Sequence, residues 1–175
     1  MESQTSVRYK LSSMPPAVTL RHELRPGDLG AIVTMHGLVY ARERGFDATF
    51  EAYVAEPLAQ FVKRGSPKER LWVAECGDEI VGSIAIVAER ETVAQLRWFL
   101  VAPETRGKGL GQRLVVEALA FSRSTAYERV ILWTVSGLEA SAHLYRSAGF
   151  QRSQANPATR WGVEVVEEMY ELALC

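Results

Sequence analysis

The stretch Phe99-Leu100-Val101-Ala102-Pro103-Glu104-Thr105-Arg106-Gly107-Lys108-Gly109-Leu110-Gly111 decides how the rest of the chain is read. It begins as the end of an apolar strand, turns through proline and glycine, and opens a helix. A helix start leaves about four backbone N–H groups unpaired, and the macrodipole puts roughly half a positive charge there. Glycines let that backbone turn tightly and approach a ligand closely. Arg106 and Lys108 add full charges. The combination makes a socket for a pyrophosphate. Other phosphate motifs fit badly. The P-loop needs a lysine followed by Ser or Thr, and here Lys108 is followed by Gly109. The dinucleotide fingerprint G-x-G-x-x-G fails because the spacing is G-x-G-x-G. At this point a glycine-rich turn with no ligand stays open beside the phosphate reading.

Upstream, Val93–Val101 is a long apolar run. Before it, Leu71–Cys76 and Ile80–Ala88 flank Gly77-Asp78, a hairpin signal. Asp47 caps a helix whose stripe is Phe50, Tyr53, Val54, Leu58, Phe61 and Val62, with Pro57 expected to kink or split it. Ahead of it, Asp28 is the expected N-cap of a helix reaching about Arg42, apolar on nearly every side and so expected to be broadly covered. Ala17–Leu24 reads as a first strand, stopped by the turn Arg25-Pro26-Gly27-Asp28. Downstream of the glycines, Leu110, Leu114, Ala118 and Phe121 share one helix face. Val130–Val135 reads as a buried strand, Ala140–Ala148 as a short helix ended by Gly149, and Gly162–Leu174 as a last extended segment. The order is β-α-α-β-β-β-α-β-α-β, with one further terminal strand left open. Residues 17–175 make a single mixed α/β (α+β) domain behind a flexible lead-in, residues 1–16, closed by Pro15-Pro16.

At 175 residues and 47% apolar, one compact domain is expected and disorder is not. Twenty basic against 21 acidic side chains leave a charge of −1, so neither nucleic acid nor an anionic membrane is expected as a partner. Two cysteines, Cys76 and Cys175, exclude a disulfide scaffold and suit a reducing, cytoplasmic setting. His22, His36 and His143 have no metal-ligand spacing, and no metal is expected. No segment reads as a secretory signal or a membrane span.

Arg106-x-x-Gly109-x-Gly111 after Val101-x-Pro103 resembles the acetyl-CoA signature of the GNAT acetyltransferase superfamily. Ala142-His143-Leu144-Tyr145-Arg146-Ser147-Ala148-Gly149-Phe150 looks like its later L-Y-x-x-x-G-F motif, in the right order and separation. The resemblance covers about Ala17 to Leu174. More narrowly, Pro26-Gly27-Asp28-Leu29-Gly30, His36-Gly37, Leu38–Glu43 and Phe50-Glu51-Ala52 look like the acetyltransferase portion of bacterial proteins that fuse a MarR-type regulator to a GNAT domain. This chain leaves no room for the regulator's helix-turn-helix module, so no DNA binding is expected.

The resemblance implies a mixed, mostly antiparallel twisted sheet flanked by helices, with a V-shaped splay between the fourth and fifth strands. It implies an acyl-CoA N-acyltransferase: a primary amine, of a small molecule or a protein, would attack acetyl-CoA directly in a ternary complex. The pantetheine arm would pair with backbone at Phe99, Leu100 and Val101, and an N–H there would polarise the thioester carbonyl. The diphosphate would sit on Gly107, Lys108, Gly109, Leu110 and Gly111, beside Arg106. Tyr145 matches the family's acid, since a phenol of pKa ~10 can protonate a departing thiolate; a core tyrosine is the alternative. Glu43 is the favoured base, continuing the spacing of His36 and Tyr40, although a solvated helix end beside Arg42 and Arg44 explains it equally well. Glu104 is a lesser candidate, and His36 reads more readily as a satisfied buried histidine. His36, Tyr40, Glu43 and Trp98 would form the acceptor wall. Tyr40, Phe46 and Trp98 lean toward a small, partly apolar amine. Val135 and Leu138 stand where family members often carry Asn, which keeps open a non-catalytic acyl-CoA sensor. Members often pair, so a homodimer is open too.

Overall fold

The computed structural model describes residues 17–174; the lead-in expected over residues 1–16 lies outside the described residues. In chain order the elements are β1 (Val18–Arg21), α1 (Asp28–Arg44), α2 (Ala48–Arg64), β2 (Arg70–Cys76), β3 (Glu79–Arg90), β4 (Val93–Val101), a short 3-10 turn (Pro103–Thr105), α3 (Leu110–Ser124), β5 (Arg129–Val135), α4 (Glu139–Ser147), β6 (Gln151–Arg160) and β7 (Val163–Ala173). The seven strands form one sheet in the order β1-β2-β3-β4-β5-β7-β6. All neighbours are antiparallel except β4 and β5, which run parallel.

Period two on the inner strands sends alternate side chains to two buried faces. Trp72, Ala74, Ile84, Ile86 and Leu96 face one way and meet Leu114, Ala118 and Phe121 of α3, with Tyr145 of α4. Leu71, Val73, Ala85 and Val87 face the other way and meet Ile32 of α1 and Phe50, Val54, Leu58 and Phe61 of α2. Burial on both faces is why β2 and β3 read as nearly continuous apolar runs.

The helix starts differ from one another. Asp47 accepts from the Thr49 N–H at 2.9 Å and caps α2, as expected. Asp28 does not cap α1. Gly27, in left-handed backbone, takes that position, and Asp28 is the first helical residue. Its buried carboxylate instead accepts from both terminal nitrogens of Arg21 (2.8 and 2.7 Å) and from the Arg25 N–H (2.6 Å). Arg21 also donates to Glu75 at 2.6 Å, so one cation ties β1 and β2 to α1.

Other expectations are corrected. Pro57 does not split α2, which runs unbroken to Arg64. The carbonyl that proline leaves without an N–H belongs to Tyr53, whose side of the helix is exposed to water. Tyr53 and Val62 are exposed, so the buried stripe is narrower than their spacing suggested, and Leu38 leaves α1 less covered than expected. β1 is shorter than the expected Ala17–Leu24. The further terminal strand is β6, ahead of the expected tail. It sits at the sheet edge, almost wholly exposed and with Pro157 in it, where a polar strand is tolerated. It joins β7 through Trp161 (φ 49°) and Gly162 (φ 80°), both left-handed.

β4 and β5 are paired only from Val93–Leu96 against Arg129–Leu132. Beyond that point they diverge, which is the expected splay. β4 also bulges there: Ala85 faces Arg97 but Ser83 faces Leu100, three steps on β4 against two on β3. Trp98 absorbs the extra residue at φ 47°, and buried Ser83 Oγ donates to its carbonyl at 2.7 Å.

Candidate active site

From Arg97 onward the β5-facing edge of β4 has no strand partner among the described residues; Ala102 N–H bonds Val81 O and Leu100 lies opposite Ser83, so Phe99 and Val101 are the residues that turn backbone groups toward the gap. One carbonyl of that edge is already taken: Arg106 Nε donates to Val101 O at 3.0 Å. Past the 3-10 turn the chain enters α3 through Gly107 (φ 75°) and Gly109 (φ 79°), and no side chain caps the helix. The first amides of α3 are therefore left to solvent or to a ligand. A Cβ on Gly107 or Gly109 would meet nothing within 4 Å, so the cradle opens to solvent. Gly111 serves packing instead, because a Cβ there would meet Leu144 at 3.3 Å and Phe99 at 3.4 Å.

A groove of ≈ 510 Å³ runs from this turn along the gap. Phe99, Leu100 and Val101 line one wall with Arg106, and Leu138 and Leu144 line the other. Amides and cations at one end and apolar walls along its length suit a diphosphate joined to a mostly apolar arm. Lys108 Nζ donates to Glu104 O at 3.3 Å beside the same turn. Of the residues expected to hold the coenzyme, Phe99, Leu100, Val101, Arg106, Gly107, Gly109 and Gly111 line this groove; Lys108 lies beside the turn, Leu110 is buried in the core instead, and Tyr145 lies deeper.

Inside the splay is a second cavity of ≈ 110 Å³, lined by His36, Tyr40, Trp98, Val135, Tyr145 and Trp161 among others. Tyr40 and Phe99 belong to both spaces and form their junction. Tyr145 is 5% exposed. Its ring lies 5.9 Å from Phe99 and 5.8 Å from Tyr170, centroid to centroid, and its hydroxyl has no hydrogen bond among the described residues. Burial pushes its pKa above the ordinary tyrosine value, so the phenol stays protonated across the neutral range. Burial, then the Glu43 carboxylate, pushes Tyr40 up to about 12.

His36, 3% exposed, is not the satisfied histidine expected. Nδ1 lies 2.8 Å from Ile32 O, and a carbonyl can only accept, so Nδ1 carries the proton. Nε2 then carries a lone pair, buried and without a hydrogen-bond partner among the described residues. Desolvation lowers the pKa to about 4, so the ring is neutral above mildly acidic pH.

Glu43 faces the other space. It lines the groove, not the inner cavity, and accepts from Arg106 Nη1 at 2.7 Å. Next to it, Arg44 donates to Ser136 O at 2.7 Å, so the end of α1 touches both arms of the splay. The substitutions at the family's Asn positions separate likewise: Leu138 lines the groove and Val135 the cavity. Sequence reasoning missed Arg97, Trp161 and the Trp98 bulge. Arg97 had a signal, as the one charge in the apolar run of β4. The bulge had none.

Residues 34–150 match the sequence profile of the acetyltransferase (GNAT) family. The chain belongs to the GNAT family. Among its relatives, the uncharacterized N-acetyltransferase C1271.07c of Schizosaccharomyces pombe is 30% identical over 119 residues, 66% of this chain and 72% of that protein. N-acetyltransferase family 8 member 3 of Rattus norvegicus is 34% identical over 87 residues, 47% of this chain, and the match spans only 38% of the rat protein. YncA of Salmonella typhimurium, solved with its cofactor acetyl-CoA, superposes with a TM-score of 0.74 at 20% identity, over 91% of this chain and 95% of that one. At that identity the likeness is one of fold. Among the described residues of this GNAT chain, no helix is long and apolar enough to cross a membrane, and no cluster of side chains could hold a metal ion.

Proposed function

We propose that the chain transfers an acetyl group from acetyl-CoA to a primary amine in a ternary complex. The observation that carries this reading is the meeting of two spaces at Tyr40 and Phe99, one ending on unpaired helix amides and the other on an unbonded, protonated phenol. Acetyl-CoA supplies an activated acetyl thioester when bound. The amides of Gly107–Gly111 and the Arg106 guanidinium hold its diphosphate, and the open edge of β4 at Phe99 and Val101 aligns its arm. In the transfer a C–N bond forms and a C–S bond breaks; the amine loses one proton and the departing sulfur gains one. Tyr145 donates the proton to sulfur. Glu43, expected from its spacing to be the base, is committed to Arg106, so we assign it to holding that guanidinium at the groove. Proton removal then falls to solvent at the cavity mouth.

We place the enzyme in the cytoplasm, with no nucleic acid or membrane among its partners and self-pairing open. We keep as a proposal the likeness of residues 26–52 to acetyltransferase portions of MarR-type fusions, which covers α1 and the first turn of α2. Val135 and Leu138 favour a second reading, a sensor that binds acyl-CoA without turnover. Thiol release from acetyl-CoA over a panel of amines separates the two. The transferase reading expects turnover that falls ~10²-fold or more in Tyr145→Phe with coenzyme binding retained. Binding by both proteins with no turnover of any amine selects the sensor.

A further inference from the structure

The inner cavity says something about the amine, on the condition that the acetyl-transfer reading holds. Among the described residues that line it, Arg97 is the only Lys or Arg. Its guanidinium carbon lies 5.1 Å from the Trp98 ring centroid and 5.9 Å from that of Tyr53, so two aromatic faces hold it. Among the described residues no carboxylate pairs with it. The one acidic side chain lining the cavity, Glu167, is engaged by Arg160 at 3.3 Å. The planar fork of Arg97, with no anion on it among the described residues, suits a carboxylate in two-point contact.

A further observation points to the rest of the ligand. Tyr40, Phe46, Phe50 and Trp161 make an apolar wall.

We propose that the acceptor is a free amino acid with an apolar side chain, its carboxylate held by Arg97 and its side chain against the wall of Tyr40, Phe46, Phe50 and Trp161. The same arrangement repels diamines and lysine side chains, which bring a second cation toward Arg97. It also disfavours peptide N-termini, which have no carboxylate beside the amine.

The test compares valine with isobutylamine, its carboxylate-free counterpart, with valinamide, and with a diamine, by thiol release from acetyl-CoA. Wild type is expected to prefer valine over each of the others by ~10²-fold in kcat/KM, the range for a charge-assisted contact left unmade. Arg97→Met is expected to lower kcat/KM for valine by a similar factor and leave isobutylamine unchanged, while Arg97→Lys restores part of the difference. Equal or better transfer to isobutylamine, valinamide or the diamine by wild type overturns the amino-acid proposal alone. That comparison stands even if Arg97→Met fails to fold. Equal loss on valine and isobutylamine in a folded Arg97→Met also overturns it. No transfer to any amine, with acetyl-CoA bound, overturns the acetyl-transfer reading and this proposal with it.

Discussion

The groove and the inner cavity share Tyr40 and Phe99, but they are made of different material. The groove is built on backbone: a strand edge released by the splay and helix amides exposed by Gly107 and Gly109. The cavity is built on side chains from α1, α2, β4, β5, α4 and the β6–β7 turn. A backbone site asks only for the right turn, so many sequences can supply it. A side-chain site changes with each residue, so under the proposed acetyl transfer the cavity is where one acceptor would be told from another.

The largest effect that bears on this contrast belongs to His36. Its pKa is about 4 in the folded chain against ~6.5 unfolded, so the unfolded state binds more protons between those values. The contribution is fully present above pH ~6.5 and is lost as pH falls toward 4, by roughly 3 kcal/mol at most. Denaturant melts from pH 7 to 4 should show that slope in wild type and a flatter one in His36→Phe. Equal slopes would mean that Nε2 is not held dry.

Next in size is Gly109→Val. A β-branched residue at φ 79° forces the turn to shift, at about 1–3 kcal/mol of strain. Acetyl-CoA affinity by calorimetry should fall ~10-fold or more. Unchanged affinity would break the claim that backbone makes the groove. Ser83→Ala comes third, because it leaves the Trp98 carbonyl at the bulge unsatisfied. A loss of about 1–2 kcal/mol in denaturant melts is expected. The smallest effect is that of Glu43→Gln. Its ion pair with Arg106 is partly exposed and worth at most about 1 kcal/mol, so KM for acetyl-CoA should rise only a few-fold with kcat nearly unchanged. A kcat loss of ~10²-fold would restore Glu43 as the base.

The same contrast separates what the sequence discloses from what it hides. The strand–turn–helix around Gly109, the β2–β3 hairpin and the Asp47 cap are local, and each is readable from a few adjacent residues. Asp28 looked like a cap because its partner Arg21 lies on another element, and only the fold brings the two together. β6 carries no apolar alternation because its residues face water, so periodicity had nothing to detect. Trp98 reads as one more strand residue, although it is the point where β4 bulges and the gap begins. His36 and Arg97 could be named from the sequence, but an unmet lone pair or an absent carboxylate shows only when all the neighbours are in place.

The central claim is that the open amides at the start of α3 and the free edge of β4 hold acetyl-CoA. Titration calorimetry of the wild-type chain with acetyl-CoA tests it most directly. Saturable one-to-one binding, weakened in Gly109→Val and kept in Tyr145→Phe, is the expected result. No saturable heat at millimolar coenzyme, or equal binding by the glycine variant, would contradict it.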